Sequence, residues 1–376
     1  MTGQTPAPFR ALEVALDPGI TLVEASAGTG KTFAITRLLL RLLLERRVES
    51  LARILVVTFT EKATQELVTR IRKTLREAER VWSASPPPRT SRNDDLFVLR
   101  ERHGDAGRAI VDEAMRSLDD LAVFTIHGFC QRVLGESALE SRIPFRTTFI
   151  EDDTEPFGRA ARDWARKRLI NDAADATLVA EQGKPFEPWV KKLVIPYRRH
   201  EASRIAFDSA SREQGLLAHF TSVVHESFER EKERRHLRGF DDLLRTVKRV
   251  LEEEGSEGPL AQRIRSRFGA ALIDEFQDTD RTQYPIFSNA FAGCPLFLIG
   301  DPKQSIYRFR GADIRAYLRA ASESDRRFTL LQNFRSSDAY VRAVEALFTR
   351  QPTPFRVSEG EIDFPRVSAA TTPTAP

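Results

Sequence analysis

A short glycine-bearing turn is the part of this sequence whose residue types and spacing most clearly permit chemistry. Eight consecutive residues form it, namely Ala25, Ser26, Ala27, Gly28, Thr29, Gly30, Lys31 and Thr32. Glycines let a backbone approach an anion closely, and the N–H groups at a helix N-terminus favour phosphate. The pattern therefore predicts a nucleotide-phosphate site in which Lys31 contacts the β- and γ-phosphates and the Thr32 hydroxyl binds Mg²⁺. An ordinary glycine-rich turn is the alternative, since Ala25 replaces the usual first glycine.

Two adjacent acids, Asp274 and Glu275, follow a second apolar run, Ala270–Ile273. Hydrolysis of a nucleoside triphosphate needs one carboxylate that holds Mg²⁺ and another group that activates the attacking water. We therefore expect Asp274 to be a metal ligand and Glu275 to be the general base. A solvated acidic loop that also includes Asp278 and Asp280 is the alternative.

A third segment, Gly300–Asp313, follows the apolar run Pro295–Ile299 and mixes polar, aromatic and basic residues. Gln304 lies just beyond the predicted strand, where a side-chain amide can contact a terminal phosphate. Tyr307 and Phe309 could stack on nucleic-acid bases, each contact contributing roughly 1–3 kcal/mol. Burial of both rings in the core is the alternative for these aromatic residues.

Apolar strands that alternate with helices position these three segments. The predicted strands cover residues 20–25, 53–60, 121–125, 270–275, 295–301 and 328–331. Helices are predicted from Lys31 to about Glu45 and from Glu61 to about Arg80, the second with Thr60 as its N-cap. Such alternation is typical of α/β proteins with a doubly wound, mostly parallel sheet, in which ligands bind at the carboxyl ends of the strands. Because the turn, the acidic pair and the third segment all follow strands, we expect them at one edge of the sheet.

The domain organisation follows from where this strand pattern is interrupted. Residues 1–18 are predicted to be a flexible lead-in, and residues 19–82, 118–135 and 255–325 are predicted to form the phosphate-binding lobe. Residues 83–117 and 136–254 are predicted to be a helical insert, with its clearest helices at Arg159–Ile170, Leu216–Arg238 and Phe240–Glu254. Residues 326–376 are predicted to open a new unit and to end in a frayed tail.

The composition limits the classes of protein that fit. The 376 residues are 41% hydrophobic and 30% charged, as in soluble globular proteins long enough for two or three domains. A net charge of +4 is compatible with a nucleic-acid partner without establishing one. Cys130 and Cys294 form no C-x-x-C pair, so they suggest neither a zinc site nor a disulfide framework. With no apolar run near ~18 residues and no apolar signal core, we expect a cytoplasmic protein without membrane association.

Six motifs occur in an order that resembles the UvrD/Rep branch of superfamily-one helicases. They are Ala25–Thr32, Thr58–Thr64, Thr125–Cys130, Ile273–Asp278, Gly300–Asp313 and Asn333–Ser336. The stretches EASAGTGKTFAI, VVTFTEKAT, VFTIHGFCQR and IGDPKQSIYRFRGADI are similar to the RecB-type members of that family. The resemblance implies a RecA-like P-loop NTPase lobe with a parallel sheet flanked by helices, an inserted helical subdomain and a partial second RecA-like lobe.

The resemblance also implies ligands and site residues. ATP and Mg²⁺ would bind at the phosphate turn, Glu275 and Gln304 would be catalytic, and Arg335 would reach the γ-phosphate from the second lobe. Residues along single-stranded DNA would be Phe59, Thr60, His127, Tyr307 and Phe309. A structural histidine is the alternative for His127. The implied partners are single-stranded or duplex-end DNA and subunits of the RecC and RecD type.

Two departures from the family pattern shape the expected function. Relatives usually carry a glutamine that reads adenine shortly before the first strand, whereas Pro18 stands there and Gln4 is the only upstream glutamine, so adenine specificity is not predicted. The sequence ends soon after Arg335, so we expect a partial second lobe and no nuclease domain.

Together these features favour the N-terminal ATPase portion of a 3′→5′ DNA helicase in double-strand break repair and recombination. The alternative is a module that binds ATP and single-stranded DNA with little turnover and acts with partner subunits. A small-molecule kinase is disfavoured by the aromatic segment 304–309.

If Phe309 stacks on a base, Phe309→Ala should weaken binding of single-stranded DNA by roughly 1–3 kcal/mol and leave the melting temperature nearly unchanged. Fluorescence anisotropy with a labelled oligonucleotide and thermal melting measure the two effects. A large fall in melting temperature with unchanged DNA affinity would instead place the ring in the core.

Overall fold

The structure is a computed structural model that describes residues 6–137, 148–150, 154–181, 212–306, 312–351, 354–357 and 360–370. Residues 1–141 with 244–376 form one compact unit, and residues 142–243 form another. The helices are α1 Lys31–Leu44, α2 Glu61–Trp82, α3 Asp94–Arg116, α4 Ile126–Glu136, α5 Thr154–Asn171, α6 Ala173–Glu181, α7 Arg212–Arg235, α8 Phe240–Glu254, α9 Pro259–Arg267, α10 Gln283–Ala290, α11 Ile314–Glu323 and α12 Asp338–Phe348. None of these described helices is long and apolar enough to cross a bilayer.

The strands are β1 Ala7–Pro8, β2 Gly19–Ala25, β3 Ile54–Thr58, β4 Ala122–Thr125, β5 Thr148–Phe149, β6 Leu237–Arg238, β7 Ala270–Ile273, β8 Pro295–Gly300, β9 Arg326–Leu330, β10 Gln332–Asn333, β11 Arg356–Val357, β12 Gly360–Glu361 and β13 Ser368–Ala369. Seven of them form one sheet in the first unit, in the order β1-β9-β2-β8-β7-β3-β4. Every neighbouring pair in this sheet is parallel. The predicted α/β fold with a mostly parallel sheet and flanking helices is therefore confirmed.

The register of the central strands sets the position of the site. Leu298 of β8 pairs with Leu22 of β2 on one side and with Ile273 of β7 on the other, and Ile273 pairs with Val57 of β3. These strands are buried along most of their length, which accounts for their continuous Val, Ile and Leu runs. Because these parallel strands end at the same edge of the sheet, within three residues of one another in this register, the segments that follow them lie there together.

Helix α1 joins the phosphate turn to the core of the lobe. Its leucines Leu38, Leu39 and Leu42 are buried in the same cluster as Val23 of β2 and Val56 of β3. Burial of each leucine contributes roughly 1.5–3 kcal/mol. Since the helix is anchored along its length, its N-terminus is held at the end of β2.

Helix α3 packs on the phosphate-binding lobe, whereas its sequence pattern predicts membership of the helical insert, as part of residues 83–117. Leu96 and Leu99 of α3 are buried in the same cluster as Leu75 of α2. The pattern of a charged amphipathic helix indicates that one face is buried, but it does not indicate which neighbour covers that face.

Strand β9 also differs from expectation, because the run Phe328–Leu331 was predicted to open a second lobe. In the structure β9 pairs with β2, so that Leu330 lies opposite Ala25, and Arg327 forms an ion pair with the buried Glu24 at 2.9 Å. The strand itself is correctly predicted. Its partner is not, since an apolar run carries no information about which strand lies beside it.

The lead-in is packed from residue 6 onward, in contrast to the flexible segment that its polar, proline-bearing sequence predicts. Strand β1 pairs with β9, and Phe9 and Leu16 are buried. Arg41 of α1 is 5% exposed and donates hydrogen bonds to the carbonyl oxygens of Ala11 and Val14, each at 2.8 Å. A buried guanidinium thus fixes the lead-in against the sheet.

The second unit is helical over most of the residues that the structure describes there. Helices α5 and α7 pack through Trp164 and Phe220, whose rings make an edge contact with centroids 4.9 Å apart. Asp175 of α6 accepts hydrogen bonds from Arg168 of α5 at 2.7 Å and from Arg212 of α7 at 2.8 Å. One carboxylate therefore joins three helices. Helices are present at the three positions predicted most clearly for the insert, but residues 244–254 of α8 belong to the first compact unit.

Replacement of the buried guanidinium should destabilise the first unit. We expect Arg41→Ala to lower the free energy of unfolding by on the order of 2–4 kcal/mol, because two backbone carbonyls lose their charged donor. Urea unfolding followed by circular dichroism measures the change.

Arg70→Ala is the matched control, since Arg70 also lies on a helix and pairs with a glutamate four positions away, but at the surface. It should cost less than about 1 kcal/mol. Equal losses in the two variants would show that the Arg41 contacts do not hold the lead-in.

Candidate nucleotide-binding site

The phosphate turn, Ala25–Thr32, leaves the carboxyl end of β2 and begins α1. Gly28 and Gly30 have φ angles of 79° and 93°, which favour glycine because a side chain would be strained there. The hydroxyl and N–H of Thr29 both donate to the carbonyl of Ser26, at 2.7 and 3.1 Å, and close the turn. Gly30 is the N-cap of α1 and supplies no side-chain cap, so the helix N-terminus faces the turn without one. This geometry suits an anion.

Lys31 and Glu275 are in contact above the edge of the sheet. Lys31 Nζ lies 2.5 Å from Glu275 Oε2, although β8 separates the strands that precede these residues. The lysine side chain is 16% exposed and the glutamate side chain is 34% exposed, so water reaches the pair. The structure therefore brings the candidate phosphate ligand and the candidate general base into direct contact.

Glu275 has an unusual backbone and a buried partner. Its φ and ψ angles of 51° and 42° are left-handed, a conformation that costs a non-glycine residue roughly 1–3 kcal/mol. Gln277, which is 3% exposed, donates from Nε2 to Glu275 Oε2 at 2.7 Å and accepts at Oε1 from the Asp301 N–H at 2.9 Å. One amide thus fixes the carboxylate to the end of β8. The sequence predicted no role for Gln277, and its only signal was its place within the acidic motif.

Asp274 directly follows β7 and has a raised pKa of about 6. Burial is the largest cause, and the neighbouring Glu275 carboxylate adds to it, while Lys31 opposes it. Asp274 Oδ1 accepts the Glu275 N–H at 2.9 Å. A divalent cation would favour the ionised carboxylate, and hard oxygen ligands are those that Mg²⁺ prefers. Asp274 and the hydroxyl of Thr32, the second residue of α1, are therefore chemically suited to hold Mg²⁺.

Gln304 lies beside Asp301 and reaches the pocket through other residues. Its Nε2 donates to Asp301 Oδ2 at 2.7 Å, and Lys303 Nζ lies 2.7 Å from Asp301 Oδ1. Because Gln277 joins Asp301 to Glu275, three consecutive hydrogen bonds connect Gln304 with the candidate base. The structure thus shows an indirect link between these two predicted catalytic residues.

Arg335 lies beside the phosphate turn, in the same compact unit as the sheet, whereas the expectation was a position on a second lobe. Its N–H donates to Asn333 Oδ1 at 2.9 Å, and Asn333 Nδ2 donates to the Ala27 carbonyl at 3.0 Å. The Phe334 N–H donates to the Gly28 carbonyl at 2.8 Å. The segment after β9 therefore covers one side of the turn. No role was predicted for Asn333, which only the motif around Arg335 could have signalled.

Two exposed aromatic rings flank Gly30. A Cβ built on Gly30 would lie 3.8 Å from Phe33 Cβ and 3.9 Å from the ring of Phe334. Phe33 is 47% exposed and Phe334 is 42% exposed. Aromatic faces of this kind beside a phosphate site offer apolar surface for a nucleobase. This apolar surface is present although Pro18 stands where relatives usually carry the glutamine that reads adenine.

Three of the predicted DNA contacts follow neighbouring strands. β3 and β4 end at the paired residues Thr58 and Thr125, so Phe59, Thr60 and His127 lie beyond the same edge of the sheet. Thr60 is exposed and caps α2, as predicted, by accepting a backbone N–H at 3.2 Å, and Phe59 and His127 are half-buried. Tyr307 and Phe309 lie outside the described residues.

The raised pKa of Asp274 predicts a pH-dependent effect on stability. The folded protein holds this proton more tightly than the unfolded chain, so the wild type loses stability as pH rises from about 4 to about 6. Asn does not titrate. In Mg²⁺-free buffer we therefore expect Asp274→Asn to raise the free energy of unfolding by on the order of 1–2 kcal/mol at pH 8, with the gain vanishing near pH 4.

Urea unfolding across this pH range measures the difference, with Asp119→Asn as the control. Asp119 is 99% exposed, so removal of its charge relieves no burial. A gain for Asp274→Asn that does not depend on pH, or a loss at pH 8, would contradict the assignment of this burial cost.

Comparison with known proteins agrees with the geometry of this site. Residues 9–325 match the family described as UvrD/REP helicase N-terminal domain. The RecBCD enzyme subunit RecB of Escherichia coli (strain K12) is 32% identical across 91% of this chain and 39% of its own length. The RecB subunits of Mycobacterium tuberculosis (strain CDC 1551 / Oshkosh) and Haemophilus influenzae are 32% and 28% identical, across 87% and 89% of this chain and 29% and 40% of their own lengths.

The chain therefore spans less than half the length of these relatives. The family match extends over most of the chain and includes β2, α1, β7 and β8, which carry the phosphate turn and the acidic pair. This chain belongs to the UvrD/REP helicase family.

Proposed function

We propose that this chain binds ATP with Mg²⁺ at the carboxyl edge of its sheet and hydrolyses it as the ATPase part of a RecB-type DNA helicase. The observation that carries the proposal is the 2.5 Å contact between Lys31 Nζ and Glu275 Oε2. A cation for phosphate and a carboxylate for water activation must share one pocket for hydrolysis, and these two come from different strands.

Each residue of the pocket has a distinct task in this proposal. Lys31 and the N-terminus of α1 hold the phosphates, and Lys31 exchanges its ion pair with Glu275 for one with phosphate. Asp274 and Thr32 provide oxygen ligands for Mg²⁺, which neutralises phosphate charge when bound. Glu275, released from Lys31 but still bonded to Gln277, accepts a proton from water.

The proposed contacts with DNA involve residues at the same edge of the sheet. Phe59, Thr60 and His127 follow β3 and β4, next to β7, which carries the acidic pair. We propose that single-stranded DNA contacts this edge and stimulates hydrolysis, with translocation in the 3′→5′ direction. Since the relatives named above are subunits of the RecBCD enzyme, we further propose that the chain acts with RecC- and RecD-like partners in double-strand break repair.

The proposal predicts different effects for two substitutions at the ion pair: one should remove nucleotide binding, and the other should remove hydrolysis alone. Lys31→Ala should abolish binding of a fluorescent ATP analogue, because the phosphates lose their cation. Glu275→Gln should keep binding but lower steady-state hydrolysis by ~10²-fold or more, because the base is removed. Hydrolysis is measured with and without single-stranded DNA.

Lys73→Ala, at an exposed position on α2, is the control and should change neither quantity. Stimulation by DNA that disappears in Glu275→Gln supports a working ATPase. Saturable nucleotide binding without hydrolysis in the wild type would favour the binding module with little turnover. Equal nucleotide affinity in Lys31→Ala and wild type would refute the phosphate site.

A further inference from the structure

One buried side chain contacts both the phosphate turn and the segment that carries Arg335. Asn333 is 8% exposed, and its Nδ2 donates to the Ala27 carbonyl at 3.0 Å. Its Oδ1 accepts the N–H groups of Arg335 and Ser336, each at 2.9 Å. The donor end of one amide thus faces the turn, and its acceptor end faces the arginine.

The sheet register explains why these segments approach each other. Ala25 of β2 pairs with Leu330 of β9. The two segments continue side by side beyond these residues, so that Asn333 lies beside Gly28, each three residues further along. A Cβ built on Gly28 would lie 2.9 Å from both Asn333 Oδ1 and Arg335 Cβ. Gly28 is therefore required by this approach as well as by its positive φ.

The contacts suit a phosphate site in a specific way. A turn whose N–H groups face an anion must direct its carbonyl groups elsewhere, and buried carbonyls need donors. Asn333 Nδ2 supplies the donor for Ala27, and the N–H of Phe334 supplies it for Gly28 at 2.8 Å. These two bonds satisfy both carbonyl groups and tie the turn to the segment that follows β9.

We propose that Asn333 is a positioning residue of the nucleotide site, which fixes the backbone of Arg335 against the phosphate turn so that its guanidinium serves the terminal phosphate. This inference rests on the proposed ATP site. The Arg335 side chain is long and exposed, so a fixed backbone reduces the entropy that is lost when it binds. Asn333 itself contacts the turn and the arginine, not the phosphate.

Asn333→Asp removes the donor end of the amide and keeps its acceptor end, so it tests the two ends separately. The aspartate keeps an acceptor for Arg335 and Ser336 but presents a carboxylate oxygen to the Ala27 carbonyl, where the wild type has a donor. The readout is the ratio of the dissociation constants of ADP and a non-hydrolysable ATP analogue, measured on the full chain. A contact with the terminal phosphate affects only the triphosphate.

We expect Arg335→Ala and Asn333→Asp each to lower this ratio by about tenfold, the size of one charge-assisted hydrogen bond, with the larger part of each loss in the affinity for the triphosphate. The double variant should lose no more than Arg335→Ala alone, because both changes remove the same contact. Asn289→Asp is the matched control, since the Asn289 amide also donates to a backbone carbonyl, at 2.8 Å, but on α10. It should leave the ratio unchanged.

Thermal melting of each variant shows whether the fold is intact, and Asn333→Ser, which shortens the side chain without adding charge, replaces Asn333→Asp if the aspartate variant does not fold. An unchanged ratio in a folded variant would overturn the inference. Equal weakening of ADP and the triphosphate analogue would also overturn it, since Asn333 would then support the turn alone. Unchanged nucleotide affinity in Lys31→Ala would refute the ATP site itself, which separates that failure from the failure of Asn333.

Discussion

The ion pair between Lys31 and Glu275 depends on three parallel strands that end at the same edge of the sheet. β2 and β7 are not neighbours, so their following residues are in contact only because β8 lies between them in matched register. A partly buried charge needs a partner. Each residue of this ion pair has a candidate second partner besides the other residue. In the proposed function, phosphate replaces Glu275 at the lysine, and Gln277 remains bonded to the glutamate. The carboxylate would then keep a hydrogen-bond partner while the site holds an anion.

Two buried side-chain amides also hold the ends of the strands on either side of β2 in place. Gln277 joins the end of β7 to the end of β8, and Asn333 joins the continuation of β9 to the phosphate turn. An amide carries a donor and an acceptor, so it can satisfy groups on two segments at once. It does so without the desolvation cost of a buried charge. A neutral bridge at Gln277 suits a position close to Asp274, because burial and Glu275 already raise the pKa of the Asp274 carboxyl.

The sequence predicts those features that depend on local pattern, and it misses those that depend on distant pairing. The strands, the phosphate turn and the acidic pair are local, as is the cap of α2 by Thr60, because each follows from residues close together in the chain. The bond between Asn333 and Ala27 joins residues 306 positions apart. The contacts by which Arg41 fixes the lead-in are also invisible in the sequence, since a helical arginine normally indicates a solvated face.

The position of β9 has a mechanical consequence for the site. An arginine on a separate lobe approaches a bound phosphate only when the lobes close. The backbone of Arg335 instead follows a strand that pairs with β2 and is tied to it by the ion pair of Arg327 with Glu24, which is 4% exposed. Lys31 and Arg335 therefore follow two paired strands of one sheet, β2 and β9, in one compact unit. In the proposed function, the arginine that senses the nucleotide therefore lies in the same compact unit as the phosphate turn that binds it.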